Sequence, residues 1–183
     1  MELFICKLRH FYIRSCSKIG ITNLKLIHID WEGPFQLKEL DTLTDAEKDY
    51  GIYQVYGNHV LYGHSLLYIG KADQQTIGKR VSQENWWDTN DSSNLLIYAG
   101  RLAGETTPSE EQWSKEIDLA EKLLIYVHKP AYNSKSLSSI PNTELRNIHI
   151  LNWGSHRDLL PEVSGLRWTS ALDKMNYEIY ELK

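Results

Sequence analysis

The sequence predicts an α+β fold in which a small antiparallel sheet is flanked by helices, with additional segments at both ends. Two short runs, residues 51–57 and 66–72, have the composition of strands, and the turn-forming residues between them indicate a hairpin. Farther along the chain, Ser109 precedes a segment whose apolar residues recur at helical spacing. A chain of 183 residues is long enough for one well-buried domain. We therefore expect residues 1–183 to form a single domain.

The composition is typical of a soluble protein of the cytoplasm. Hydrophobic residues make up 42% of the chain, and no apolar run is long enough to cross a bilayer, so no membrane partner is expected. Cys6 and Cys16 show neither a metal-site spacing nor a disulfide framework, which favours a reducing compartment. The net charge of −4 argues against a protein that coats DNA by overall basicity, but it leaves room for a local basic groove. The basic N-terminal residues leave three interpretations open: a targeting segment, a nucleic-acid-binding arm or a poorly ordered start.

The first elements follow from alternation and from turn residues. Residues 24–31 alternate apolar and polar side chains, which predicts a strand that ends at a Gly33-Pro34 turn. Residues 35–43 fit either a short helix or an extended arm.

Alternation also assigns the faces of the hairpin. In its first strand, Tyr53 shares a face with Val55. In its second strand, Tyr68 lies on one side, whereas Leu67 and Ile69 lie on the other. We therefore expect Tyr53 and Tyr68 to share a region at the sheet surface.

The remaining elements alternate between helices and strands. Residues 76–83 predict a short helix, and residues 94–99 predict a third strand. Two later runs, residues 147–153 and 176–182, have strand-like composition.

A long helix is predicted from Ser109 to about Val127, because Ser109 and Gln112 match a capping box. Its apolar stripe consists of Trp113, Ile117, Ala120, Leu124 and Val127. Glu121 lies about 80° from the centre of this stripe by helical geometry. That position suits a carboxylate that projects into a cleft between helix and sheet.

Five sequence features follow one another in a fixed order. Gly51-Ile52-Tyr53 lies in the first hairpin strand, and Tyr68-Ile69-Gly70 lies in the second. Arg80 follows in the short helix, Glu121 in the long helix, and Asn133 shortly after the long helix ends. This arrangement resembles the GIY-YIG nuclease superfamily, whose members cut phosphodiester bonds with a divalent metal.

The resemblance implies the GIY-YIG nuclease fold for part of the chain. The nuclease core would occupy residues 50–135. Residues 1–49 would form an N-terminal addition, and residues 136–183 would form a strand-rich C-terminal addition.

The resemblance also implies a role for each motif residue. Glu121 would anchor Mg²⁺ or Mn²⁺, because a hard cation prefers carboxylate oxygens. Arg80 would neutralise charge that develops on the phosphate. Tyr53 would act as general base with Tyr68 in support, and Asn133 would brace the site by hydrogen bonding. Each residue taken alone also has a structural interpretation: a helix glutamate, a surface ion-pair partner, two packed strand tyrosines and a turn asparagine.

Three further residues are candidates for contact with the substrate: Lys71, Lys79 and Glu84. Lys71 follows Tyr68 by three residues and is the candidate cation that would favour a phenolate. Relatives often carry His or Tyr at the position of Glu84. We favour an interpretation of Glu84 as an i, i+4 partner of Arg80. A second metal ligand or a proton acceptor is the alternative.

These features predict a metal-dependent endonuclease that hydrolyses DNA. The compact chain without an evident zinc finger or helix-turn-helix slightly favours a restriction-type enzyme, which could act as a homodimer, over repair or structure-specific cleavage. The alternative is a catalytically inactive nucleic-acid-binding module. Trp86-Trp87 would either stack on bases or, as we favour, cover the core.

Overall fold

The computed structural model describes residues 24–84, 94–137 and 143–168. The strands are β1 (Lys25–Phe35), β2 (Gly51–His59), β3 (Gly63–Ala72), β4 (Leu96–Ala103), β5 (Ile148–Gly154) and β6 (Glu162–Ser164). The α-helices are α1 (Ile77–Ser82), α2 (Glu110–His128) and α3 (Gly165–Trp168), and 3₁₀ helices span Leu37–Leu43 and Thr143–Asn147. Within these residues, no helix is both long enough and apolar enough to cross a membrane. The predicted strand at 176–182, the Trp86-Trp87 pair and both cysteines lie outside the described residues.

The described strands form one mixed sheet in the order β3-β2-β4-β1-β5-β6. The α+β class is therefore confirmed, but the sheet is larger than the small antiparallel sheet that the sequence predicts. β1 pairs with β4 in antiparallel orientation and with β5 in parallel orientation. Alternation within β1 gave no information on a partner more than a hundred residues away, so the parallel pair could not be foreseen.

β2 and β3 form the predicted antiparallel hairpin, and the hairpin lies at one end of the sheet. Tyr53 pairs with Gly70, and Val55 pairs with Tyr68. A register shift follows Val55, and the next pair joins Tyr56 to Leu66. Leu67 is the extra residue of this bulge and packs in the same cluster as Tyr53. The predicted position of Leu67 on the face opposite Tyr68 was wrong because a bulge breaks strict alternation.

Steric crowding explains why glycine occupies position 51 at the start of the first tripeptide and position 70 at the end of the second. Gly51 has a φ of 144°, and a Cβ there would lie 2.2 Å from the carbonyl oxygen of Gly100. A Cβ on Gly70 would lie 2.5 Å from the Tyr53 hydroxyl oxygen and 2.6 Å from the Tyr68 ring. The absence of a side chain at Gly70 therefore lets the two tyrosines lie against one another.

β1 is longer than the sequence predicts, since it continues beyond Gly33-Pro34 to Phe35. The register with β4 shifts between Glu32 and Phe35. A proline is tolerated at such an irregularity, because its missing N–H removes no regular ladder bond. The predicted turn was therefore wrong. The ambiguous segment that follows forms the 3₁₀ helix Leu37–Leu43.

α2 agrees closely with the predicted helix. The Ser109 hydroxyl accepts a hydrogen bond of 3.3 Å from the Gln112 N–H, which caps its start. Ile117, Ala120 and Leu124 of the predicted stripe are fully buried. The helix fixes the direction of Glu121, because that residue lies one position from Ala120 on the flank of the stripe.

Two hydrophobic clusters cover the two faces of the sheet. α2 packs on the face that contains Ile29, Ile52 and Ile69. The 3₁₀ helix Leu37–Leu43 and α1 pack on the opposite face, against Tyr53. The two layers approach each other beyond β3, which is the edge strand.

Candidate active site

A pocket of about 320 Å³ opens at the edge of the sheet, where β3, α1 and α2 converge. Tyr68 and Lys71 line it from β3, Arg80 lines it from α1, and Glu121 lines it from α2. Its remaining lining residues are Ala72, Asp73, Gln74 and Gln75. Three motif residues that are far apart in the sequence therefore meet in one cavity.

Tyr53 lies behind this pocket rather than in its wall. Its side chain is fully buried, whereas Tyr68 contributes to the lining. The two rings are 6.0 Å apart between centroids, and the Tyr53 hydroxyl interacts with that of Tyr68. The predicted shared region exists, but Tyr53 occupies its interior.

Burial disfavours the ionised form of both phenols. Burial raises the pKa of Tyr53 far above its ordinary value, and the neighbouring Tyr68 phenol adds to the effect. Burial also raises the pKa of Tyr68, with further contributions from the carboxylates of Glu84 and Glu121. Arg80 opposes these effects at both tyrosines. A phenolate base is therefore disfavoured until positive charge enters the pocket.

Arg80 and Glu84 form the i, i+4 pair that we favoured from the sequence. The guanidinium Nη2 lies 2.7 Å from Oε1 of Glu84. The same oxygen accepts a hydrogen bond of 3.3 Å from the Tyr53 hydroxyl. The contact with Tyr53 joins residues 31 positions apart, so helical spacing could not predict it.

Glu121 is a largely buried carboxyl group at the wall of the pocket. It forms no hydrogen bond or ion pair with the residues described in the structure, although it lines the pocket. Burial raises its pKa to about 7 against the opposing charges of Lys71 and Lys122. A cation bound to the carboxylate would offset this desolvation. The donor chemistry fits a hard cation such as Mg²⁺ or Mn²⁺ held by one carboxylate and solvent.

Lys71 lines the same pocket as Tyr68, and its ammonium group is paired with two carboxylates. Its Nζ lies 3.0 Å from Asp118 and 3.3 Å from Asp73. Lys122 also binds Asp118, at 2.5 Å, and the Ser114 hydroxyl donates to Asp73 at 3.0 Å. Asp73, which follows β3, and Asp118 in α2 therefore form the ion pairs of Lys71 and Lys122. Arg80 is the cation whose charge lowers the pKa of both Tyr53 and Tyr68.

The network around Lys71 was not found from the sequence. Asp118 precedes Glu121 by one helical turn, and this i, i+3 spacing was the one available signal. Across the described ranges, no group of three or more His, Cys, Asp or Glu side chains is positioned to hold a metal. Asp118 and Asp73 are partners of lysine and serine side chains, whereas Glu121 has no such partner among the described residues.

Lys79 lies outside this pocket. It lines a neighbouring cavity of about 520 Å³ between α1 and the 3₁₀ helix Leu37–Leu43. Gln74 and Gln75 line both cavities, so the two are adjacent. The structure brings Lys79 close to the predicted site but not into it.

Asn133 braces the strand that carries Tyr68. Its amide donates to the Ile69 carbonyl at 2.9 Å and accepts from the Ile69 N–H at 3.0 Å. The N–H groups of Ala131 and Tyr132 donate to the carbonyls of Leu66 and Leu67 in the same strand. Asn133 therefore acts on backbone groups beside Tyr68.

Comparison of the chain with protein-family models, with curated proteins and with solved structures found no match. The chemistry of the pocket itself is therefore the basis for assigning a function.

Proposed function

We propose that this protein is a metal-dependent endonuclease of the GIY-YIG type that hydrolyses phosphodiester bonds in DNA. The observation that carries the proposal is the meeting of Tyr68, Arg80 and Glu121 in one pocket. A restriction-type enzyme is slightly favoured over a repair enzyme, because the motif region has additional segments on both sides that could contribute to recognition of DNA.

The pocket supplies the charges that phosphodiester hydrolysis needs. A divalent cation bound at Glu121 would supply Lewis-acid stabilisation of the phosphate oxygens. Arg80 offers a guanidinium to a non-bridging oxygen, where charge develops in the transition state. Tyr68 lines the cavity and can orient the attacking water. Asn133 holds the backbone on which Tyr68 stands.

A catalytically inactive DNA-binding module is the second candidate. The ion pair between Arg80 and Glu84 favours the inactive module, because Glu84 already binds the guanidinium group that would have to bind a phosphate. The raised pKa of Tyr53 and of Tyr68 also opposes phenolate formation. Such a module would bind DNA without cleaving it in the presence of Mg²⁺ or Mn²⁺.

The Glu121→Gln variant separates these functions. It removes the charge that attracts a cation while preserving the shape of the side chain, so we expect a folded protein that has lost Mg²⁺-dependent cleavage. Supercoiled plasmid is incubated with wild type and variant, with Mg²⁺, with Mn²⁺ and with EDTA. Glu111→Gln is the matched control, since Glu111 is an exposed residue of the same helix. Plasmid nicking by Glu121→Gln at the wild-type rate would show that Glu121 is not the anchor.

A further inference from the structure

Glu84 receives two donors on one oxygen. Its Oε1 lies 2.7 Å from Nη2 of Arg80 and 3.3 Å from the Tyr53 hydroxyl. Only 15% of the Glu84 side chain is exposed. An ion pair formed only to neutralise Arg80 needs no contact with a buried phenol. The contact with Tyr53 therefore gives Glu84 a connection to the interior of the site.

The two tyrosines extend this connection to the pocket. Tyr68 lines the cavity, and Tyr53 is fully buried behind it. Their hydroxyl groups interact, and a phenol can donate one hydrogen bond while it accepts another. Tyr68, Tyr53 and Glu84 therefore form a hydrogen-bonded chain that leads from the cavity to a carboxylate.

We propose that Glu84 is the terminal acceptor of the proton that leaves the attacking water, which reaches it through Tyr68 and Tyr53. This inference rests on the proposed nuclease function. Burial disfavours a phenolate at either tyrosine, so neither phenol is suited to retain the negative charge left by the proton it passes on. Glu84 acts through its neighbours and does not touch the substrate.

Each proton and bond in this step has a destination. The water oxygen forms a bond to phosphorus as its proton moves to the Tyr68 oxygen. The Tyr68 proton moves to Tyr53, and the Tyr53 proton moves to Oε1 of Glu84. The bond from phosphorus to the leaving oxygen breaks, and that oxygen takes a proton from solvent. Glu84 returns its proton to solvent after the product leaves.

Proton transfer to Glu84 also changes the partner of Arg80. Glu84 is a carboxylate in the ion pair and becomes a neutral acid when it is protonated. The guanidinium then loses its internal counter-charge at the time when charge develops on the phosphate. The relay thus couples removal of the water proton to the availability of Arg80.

Two substitutions interrupt the relay at different points. Glu84→Gln keeps an oxygen that accepts from Tyr53 but no longer takes up a proton, and Tyr53→Phe removes the intermediate hydroxyl without changing any charge. Each should lower the single-turnover cleavage rate by about 10²-fold, and the double variant should be no slower than either. Glu47→Gln is the charge control, because Glu47 is exposed on a turn away from the pocket. DNA affinity of Glu84→Gln should equal or exceed that of this control.

The solvent deuterium isotope effect gives a readout that a purely structural role would not move. Wild type should show a large effect with a curved dependence on deuterium fraction, because several protons move together. Both variants should show a smaller and linear dependence. Circular dichroism establishes that each variant is folded, and Tyr53→Phe provides the test if Glu84→Gln does not fold.

The failures of the two proposals are distinguishable. If Glu84→Gln and Tyr53→Phe cleave at the wild-type rate with an unchanged isotope effect, while Glu121→Gln is inactive, the relay alone is overturned. If wild type cleaves no DNA with Mg²⁺ or Mn²⁺, the nuclease function and the relay are overturned together.

Discussion

The carboxyl group of Glu121 has lost much of its water without gaining a hydrogen-bond donor from the described part of the protein. Burial is the largest cause of its raised pKa, which reaches about 7. Lys71 and Lys122 lower the pKa of Glu121, but both are held by Asp118. The ionised form of Glu121 is therefore disfavoured in the folded state, and a bound cation would stabilise it.

This burial predicts a pH-dependent stability for the metal-free protein. The folded pKa of Glu121 is above the ordinary value of 4.5, so the folded state binds the proton more tightly than the unfolded state. The resulting stability is complete below about pH 4.5 and is lost as pH rises through about 7. Relative to wild type, Glu121→Gln should therefore gain free energy of unfolding over this window, by about 3 kcal/mol at most.

Denaturant unfolding of wild type and Glu121→Gln in EDTA, from pH 4.5 to pH 8, measures this difference in the free energy of unfolding. Glu111→Gln, on the same helix, should follow the wild-type pH dependence. Identical pH dependence in wild type and Glu121→Gln would contradict the raised pKa.

At the scale of elements, the edge strand β3 depends on a segment that follows α2. Ala131, Tyr132 and Asn133 bond to β3 at Leu66, Leu67 and Ile69, so the strand is held on both of its sides. The same strand carries Tyr68 and the glycine that accommodates Tyr53. The position of both phenols is thus set partly from outside the hairpin.

Asn133→Ala should release this strand. The change leaves the N–H and carbonyl of Ile69 without their side-chain partner, which should lower the free energy of unfolding by about 1–3 kcal/mol. Hydrogen exchange at the Ile69 amide should accelerate as well. Asn58→Ala is the control, because Asn58 is exposed in the partner strand. Unchanged exchange at Ile69 would contradict a bracing role.

Local patterns predicted the elements whose determinants are close in sequence. The β2–β3 hairpin has its turn residues between its two strands. The capping residue of α2, Ser109, lies three residues before Gln112, whose N–H it accepts. The contact between Tyr53 and Glu84, the lysine network at Asp118 and the bulge at Leu67 depend on packing between distant segments. Periodicity specifies which face of an element is buried but not which element covers it. The residues gathered in the pocket were therefore predicted better than their partners.

At the scale of the whole molecule, β1 occupies the middle of the sheet although it precedes the motif region. It pairs with β4 on one side and with β5 on the other. Ile29 and Trp31 are buried in the same cluster as Ile52, and the Trp31 indole donates to Asn152 at 2.8 Å. Residues 50–135 thus share one core with segments before and after them.

A fragment of residues 50–135 should consequently fail to fold cooperatively. Removing β1 uncovers one edge of β4 and removes Ile29 and Trp31 from the cluster that contains Ile52. The fragment also lacks Asp49, a buried carboxylate that lies 2.6 Å from Arg101 in β4. Near-ultraviolet circular dichroism and urea unfolding of the fragment and of the full chain test this. A cooperative transition in the fragment would show that the motif region is an independent unit.

The segment from Ala131 to Asn133 has a consequence for how copies of this chain meet. A sheet edge with unpaired N–H and carbonyl groups recruits strands from other molecules, and it leads to stacking of subunits or to aggregation. Along Leu66–Ile69, those groups already bond within the chain. This stretch of β3 is therefore closed to sheet extension. If two copies of this chain shared a continuous sheet, their strands would have to pair somewhere other than along Leu66–Ile69.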